Sequence, residues 1–357
     1  VAELRERAAV SVLSESAWDV RLTRARAELP FARRDLLALG LADAPGLRFV
    51  PTAVRWGPGD EVLVPLCVSG DRGQIGCYGY GSLPASADLR GRPVDFADLA
   101  EAVCRDRGLT QLTTLLPPRG AFPGVDRRSE RWPARPGRDT YLLRLDGDAG
   151  AVWTAARGNC RTAVRRAGAL GLVATAATPG HEDDLLRLYR ETLSRHGVAS
   201  AVTATDLAPL VGGAGEVDGA GGAQAVTTVV LDEDGGVQAA SVFALGEPAA
   251  GGSGAAGAQG AFHLMQLTSE RGRIANAGHL AFWSALTELA ARGVGTVDLG
   301  AAAGEGQARF KTGWGAVAAA SRLVRWRDGE RTARDGARGR NGARGRNGAR
   351  TDREGTR

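Results

Sequence analysis

The chain has 357 residues, 43% hydrophobic and 24% charged, a globular composition long enough for two ordinary domains or one large one. No run of 18 apolar residues occurs and the N-terminal VAELRERAAVSVLSESAW lacks the basic and apolar regions of a secretory signal, so neither membrane insertion nor export is expected and the location expected is cytoplasmic. The net charge of +5 does not mark the fold as nucleic-acid-binding: nine arginines and five acids in 328–357 supply +4 of it, leaving 1–327 nearly neutral.

In chain order, EVLVPLCVSG (61–70) and QIGCYGYGS (74–82) read as strands of a hairpin. On the second, Tyr78 and Tyr80 are two apart and share a face. A helix is predicted at 94–107, with Phe96, Leu99, Val103 and Cys104 at helical spacing and Gly108 as its C-cap. A strand at 109–117 follows, then a Pro/Arg-rich segment, 117–138, that reads as a linker. One helix is predicted over 149–170, carrying Arg157, Arg161, Arg165 and Arg166. Another is predicted over 179–196, with Thr178 as N-cap, Pro179 at its first position and Gly197 at its end. Runs 225–235 and 236–246 form a second hairpin, and 261–269 is a further strand. A helix at 275–292, capped by Gly293, leads to a strand at 296–300. Hairpin, helix and strand thus occur twice, a pattern that suggests duplication. The Gly/Ala-rich stretches 212–224 and 246–260 read as surface loops. The tail repeats GARGRN at 336–341 and 342–347, has no large apolar residue and is expected to be disordered.

Cys67, Cys77, Cys104 and Cys160 form no CxxC pair and read as small buried hydrophobes. His181, His196, His263 and His279 cluster neither with cysteines nor with one another, so no metal site is expected. Of the 45 basic residues, 44 are arginine and one, Lys311, is lysine. Either Lys311 survived by chance, or it stands where a compact ammonium can approach a carbonyl or phosphate and a planar guanidinium cannot.

Three segments, 140–177, 185–198 and 278–316, resemble the FemAB-like branch of the GNAT superfamily. The last carries Arg309-Phe310-Lys311-Thr312-Gly313-Trp314-Gly315, matching an [RF]-F-K-x-G-[FW]-G signature. Residues 49–120 match more weakly, through Tyr-Gly-Tyr-Gly-x-Leu-Pro. The resemblance implies an α/β fold of two tandem GNAT-like lobes, each a mixed, mostly antiparallel sheet flanked by helices. The expected divisions are 1–138 for the first lobe and linker, 139–327 for the second lobe, and 328–357 for the tail. It implies transfer of an acyl group to a small-molecule or peptide amine, with acetyl-CoA or another acyl-CoA as cosubstrate and no permanently bound cofactor. In acetyl-CoA-dependent members a Gly-rich loop at a helix N-terminus seats the pyrophosphate. The corresponding residues here are Arg271, Gly272, Arg273, Ile274, Asn276, Gly278 and His279, with Arg and Gly at a helix start but different spacing. Fem-type members instead take an aminoacyl group from charged tRNA and add it to a peptide precursor. That is the alternative donor, for which the Arg-rich tail would add salt-dependent RNA affinity. A third reading is an inactive interaction module that keeps the fold.

The resemblance places Lys311 at the catalytic centre, stabilising an oxyanion. Phe310, counted with the substrate contacts, joins Gly313 and Trp314 in positioning it. Asp298, at a strand end, reads as a base, as a residue orienting the amine, or as a plain strand cap. Glu305, in a Gly-rich loop, reads as a substrate contact or a solvated acid. Arg165 and Arg166 read as phosphate contacts or a solvated face. Tyr78 and Tyr80 read as an acceptor-cleft wall or as packing, and His263 and His279 as structural.

Overall fold

Residues 48–57 and 60–69 are buried through their middles without alternation, the pattern of strands covered on both faces. The computed structural model describes residues 8–25, 29–57, 59–77, 79–86, 94–122, 125, 129, 132–211, 225–246 and 259–328. Tyr78, the loop 212–224, most of the loop 246–260 and the tail from 329 onward lie outside them.

The first part of the chain forms strand β1 (Ala9–Val12), helices α1 (Glu15–Arg24) and α2 (Arg34–Ala42), and strands β2 (Arg48–Gly57), β3 (Asp60–Ser69) and β4 (Arg72–Ile75). Helix α3 (Phe96–Arg107) and strand β5 (Gln111–Leu116) complete it. Strand β6 (Ala134–Arg144) precedes helices α4 (Ala149–Ala155) and α5 (Gly158–Ala169), strand β7 (Val173–Ala176), and helices α6 (Glu182–Ser194) and α7 (Ala204–Val211). Strands β8 (Ala225–Leu231), β9 (Val237–Leu245) and β10 (Gln259–Thr268) follow, then helices α8 (Glu270–Ile274) and α9 (Ala277–Ala291). Strand β11 (Val294–Asp298), helix α10 (Glu305–Gly313) and strand β12 (Val317–Arg327) end the described chain.

All these strands join one sheet in the order β1-β2-β3-β4-β5-β12-β6-β11-β10-β9-β8-β7. Only β4–β5 and β10–β11 are parallel, and helices connect each of these pairs, as parallel strands require. Read inward from its two edges, the sheet has two halves of like pattern, as the repeated hairpin, helix and strand suggested. Their innermost strands are exchanged. Strand β6 follows β5 in the chain but lies against β11, while β12 follows β11 but lies against β5. The exchanged strands pair with each other along the seam.

The core respects no boundary between halves. The largest apolar cluster joins Leu36 of α2, Leu99 of α3, Leu188 of α6 and Leu207 of α7 with residues of β2, β3 and β8–β10. A second cluster under α4, α5 and α9 includes Val152, Val164, Phe282, Leu286 and Trp314.

Several expectations are corrected. The strand expected at 74–82 stops at Ile75, because Gly76 and Gly79 take positive φ values of 76° and 70°, which an extended strand cannot hold. Residues 134–138, read as linker, begin β6. The single helix expected at 149–170 is two, α4 and α5. At the break Ala156 is extended, the Arg161 guanidinium binds the carbonyls of Trp153, Thr154 and Ala156, and the Arg157 amide donates to Gly313 O. Helix α6 starts after His181 rather than Thr178, since Thr178 and His181 bond each other instead.

Residues 1–133 alone lack β12 and leave β5 unpaired on one side. Expressed alone, they are expected to show no cooperative thermal transition by circular dichroism; co-expression with 134–328 should restore one.

Candidate active site

The parallel strands β10 and β11 pair only from Gln259 to Phe262, opposite Val294 to Asp298. Beyond Phe262, β10 continues to Thr268 bonded to β9 alone, with Leu264 bulged out of register. A cavity of about 830 Å³ opens there, lined by both halves of the chain and by the exchanged strand β6. Its place, at the carboxyl ends of diverging parallel strands, is the usual one for ligands in open α/β sheets.

Asp298 ends β11 and is only 2% exposed. Its carboxylate accepts hydrogen bonds from Tyr80 Oη (2.7 Å), Thr140 Oγ1 and the Gly300 amide (2.7 Å). These donors come from the first half, the exchanged strand and its own loop. Burial pushes the Asp298 pKa up despite those bonds, and burial with the nearby carboxylate pushes the Tyr80 pKa up.

Close approach by glycine lets Tyr80 reach this carboxylate. A Cβ on Gly79 would stand 2.3 Å from the Phe31 ring, and one on Gly81 1.8 Å from Thr114 Oγ1. Gly79-Tyr80-Gly81 is therefore a tight segment rather than a strand, and Tyr80 is placed by its flanking glycines.

Lys311 lies in the last turn of α10 and is 7% exposed. Its Nζ donates to Gly300 O (2.9 Å) and Ala301 O (2.6 Å) and lies 5.5 Å from the centre of the Tyr141 ring. An ammonium has three N–H donors, so one remains after these two bonds. Burial lowers the Lys311 pKa to about 8; Asp298 opposes the shift and Arg138 adds to it. The signature around Lys311 sets its position. Phe310 packs on His279 and Phe282, with ring centres 5.1 and 5.0 Å apart. Trp314 stacks on Trp283, and a Cβ on Gly313 would stand 2.8 Å from Cys160 Sγ.

The cavity thus gathers Lys311, Asp298, Tyr80, Phe310 and Arg273. Most of the other residues singled out from sequence lie elsewhere. Glu305 is exposed and 3.9 Å from Arg309. Arg165 stacks over Trp153 outside the cavity lining. Arg271 is exposed and faces Asp232, while Ile274 is 71% exposed. Gly272 is buried against Gln238, Gly278 lies under Thr268, Asn276 takes a left-handed φ of 61°, and His279 packs on Phe310. Within 272–280, the amides of Gly272, Arg273, Ala275, Asn276, His279 and Leu280 are bonded inside the segment, to Ser269 or to Arg271. Arg138, Thr140, Thr192 and Arg195 also line the cavity, and nothing in their local sequence separates them from other surface residues. His263 lines it too, as a neutral ring: burial and the Lys311 charge lower its pKa to about 3. Cys67, Cys104 and Cys160 are buried as expected, but Cys77 is half-buried and reaches the cavity. Among the described residues no His, Cys, Asp and Glu cluster could hold a metal, and no helix is long and apolar enough to cross a membrane.

No family model matches the sequence, and no curated protein matches it. Solved structures do share the fold. FemX is 11% identical over 88% of this chain and 96% of its own, with a TM-score of 0.54. L-PGS from Bacillus licheniformis is 13% identical over 90% of this chain and 94% of its own, with a TM-score of 0.53. The C-terminal domain of an Agrobacterium fabrum protein named as a lysylphosphatidylglycerol synthetase is 12% identical over 82% and 87%, with a TM-score of 0.50. The chain is an α/β protein of two like halves, each a mostly antiparallel sheet flanked by helices, and it shares this fold with FemX and L-PGS.

Proposed function

We propose that the protein is an N-acyltransferase that passes an acyl group from acyl-CoA, with acetyl-CoA the first choice, to an amine by direct attack in the seam cavity. The observation that carries this reading is the Lys311 ammonium, buried at the cavity wall with one N–H left over. The amine nitrogen adds to the thioester carbonyl, and the spare N–H meets the oxygen as it becomes anionic. Collapse expels the CoA thiolate, the amine proton neutralises it, and the amide is released. Holding both reactants in one cavity supplies much of the rate. Asp298 serves here as a positioning residue, fixing Tyr80, Thr140 and the loop whose carbonyls hold Lys311.

Two features fit the donor. The half of β10 that β11 leaves unpaired is an open strand edge, suited to an extended arm bearing amides. Arg195 and Arg273 line the cavity with Thr192 and Thr268, to both of which Arg195 donates, and suit a diphosphate.

A second reading, an aminoacyl-tRNA-dependent ligase, draws on the amides of 272–280, six of which bond within 269–280 and leave little backbone seat for a pyrophosphate.

Thermal stability with acetyl-CoA, with CoA and with charged tRNA separates the donors, since a ligand at 100 times its Kd adds about 2.7 kcal/mol. Transfer assays with and without ribonuclease then identify the activity. If no acyl-CoA and no aminoacyl-tRNA supports transfer, the enzyme reading fails and the inactive module stands.

Lys311→Met is expected to lower kcat by about 10²–10³ with little change in donor KM. Lys311→Arg should not rescue it, because the wider guanidinium must displace the Gly300–Ala301 loop. The working form is the cation and its pKa is lowered to about 8, so the kcat/KM profile should fall as pH rises through about 8. An unperturbed lysine would delay that fall to about pH 10.4. Tyr80→Phe removes one donor from the buried carboxylate and is expected to cost about 2 kcal/mol in urea unfolding.

A further inference from the structure

Four basic side chains line the cavity, Arg138, Arg195, Arg273 and Lys311, against the single carboxylate of Asp298. Composition does not explain this excess, because residues 1–327 are nearly neutral. The positive charge is divided between two places. Arg195 and Arg273 stand beside the free edge of β10. Arg138 stands on β6, near enough for its charge to lower the Lys311 pKa and to oppose the upward shift at Tyr80.

The local backbone fixes the direction of Arg138. It lines the cavity together with Thr140, and Thr140 reaches Asp298. Here β6 carries one extra residue: Gly137 and Arg138 stand opposite the single Ser321 of β12, between the pairs Ala320–Asp139 and Arg322–Pro136. Ser321 donates from Oγ to the Arg138 carbonyl (2.6 Å). Gly137 makes room for it, since a Cβ there would stand 2.5 Å from Ser321 Oγ. Bulges of this kind re-aim the side chains beside them. The Arg138 guanidinium is exposed to the cavity, and among the described residues no carboxylate pairs with it.

We propose that Arg138 clamps a carboxylate or phosphate carried by the acceptor amine itself, so that the acceptor is an anionic amine such as an amino acid, a peptide or an aminoalkyl phosphate. This rests on the acyl-transfer reading. A guanidinium binds either group through two parallel N–H bonds. An anion between Arg138 and Lys311 also relieves their mutual repulsion. The clamp is assigned to the acceptor because Arg138 is near Tyr80 and Lys311, whereas Arg195, assigned to the donor, bonds Thr268 at the last position of β10. Held there, the anion tethers the amine close to the Lys311 ammonium.

The test uses the full chain as wild type, Arg138→Gln, Arg138→Lys and, as control, Arg165→Gln, which lies outside the cavity. With the working donor, acceptor KM is measured for glycylglycine, glycinamide, O-phosphoethanolamine and ethanolamine. Arg138→Gln is expected to raise KM at least tenfold for the anionic acceptors, with kcat within about threefold and the neutral acceptors unchanged. Arg138→Lys should recover part of the loss. A larger effect on glycylglycine assigns the clamp to carboxylate, and a larger effect on O-phosphoethanolamine assigns it to phosphate. Equal KM values for wild type and Arg138→Gln on every acceptor overturn the clamp while acyl transfer stands. If no donor supports turnover, acyl transfer fails, and the clamp is read from Tm shifts with inorganic phosphate and with succinate. A shift in wild type and Arg165→Gln that is lost in Arg138→Gln supports it. No shift, or the same shift in all, overturns it.

Discussion

The buried carboxylate of Asp298 is the constraint on which the rest of the site depends. A carboxyl group 2% exposed is tolerated only when hydrogen-bond partners replace the lost water. Its three donors come from parts of the chain far apart in sequence: Tyr80, Thr140 and Gly300. Satisfying one charge therefore fixes the first half against the second and pins the exchanged strand between them. The same bonds set the turn at Gly300 and Ala301, whose carbonyls hold Lys311.

Strand exchange makes this arrangement possible. With β12 against β5 and β6 against β11, the seam is built from both halves, and the cavity opens onto residues of each. A simple end-to-end junction would place β6 against β5 and take Thr140 and Arg138 away from β11. The divergence of β10 from β11 after Phe262 adds the other requirement, an open edge within reach of the lysine.

Charge is concentrated where the fold is most crowded. Lys311 gives up part of its basicity to burial, and His263 is held neutral by burial and by that same lysine. Asp298 is the one carboxylate among the residues lining the cavity, and its bonds are directed to neutral donors. The cavity stays net positive, which favours anionic ligands and underlies the proposed roles of Arg138, Arg195 and Arg273.

How far these features can be read from the sequence depends on the range of the interactions behind them. The second hairpin, helix α3 with its Gly108 cap and the helix ending at Gly293 follow from local periodicity and turn chemistry, and the structure has them at nearly the expected bounds. The lone lysine in a chain with 44 arginines and its Phe-Lys-x-Gly-Trp-Gly setting drew attention to position 311 before any fold was known. Strand β6 within an apparent linker, the break between α4 and α5, and the true role of the Tyr-Gly-Tyr-Gly stretch were not legible. Each is decided by partners from other parts of the chain: Ser321 against Gly137, the Gly313 carbonyl on the Arg157 amide, and Phe31 and Thr114 against Gly79 and Gly81. The sequence by itself determined the kinds of element and the unusual lysine, because these depend on neighbours a few residues away. Only the tertiary structure decided the exchanged strands, the three donors on Asp298 and the presence of Arg138 beside Lys311, because a buried charge is satisfied by whatever the fold brings to it, and sequence distance carries no record of that.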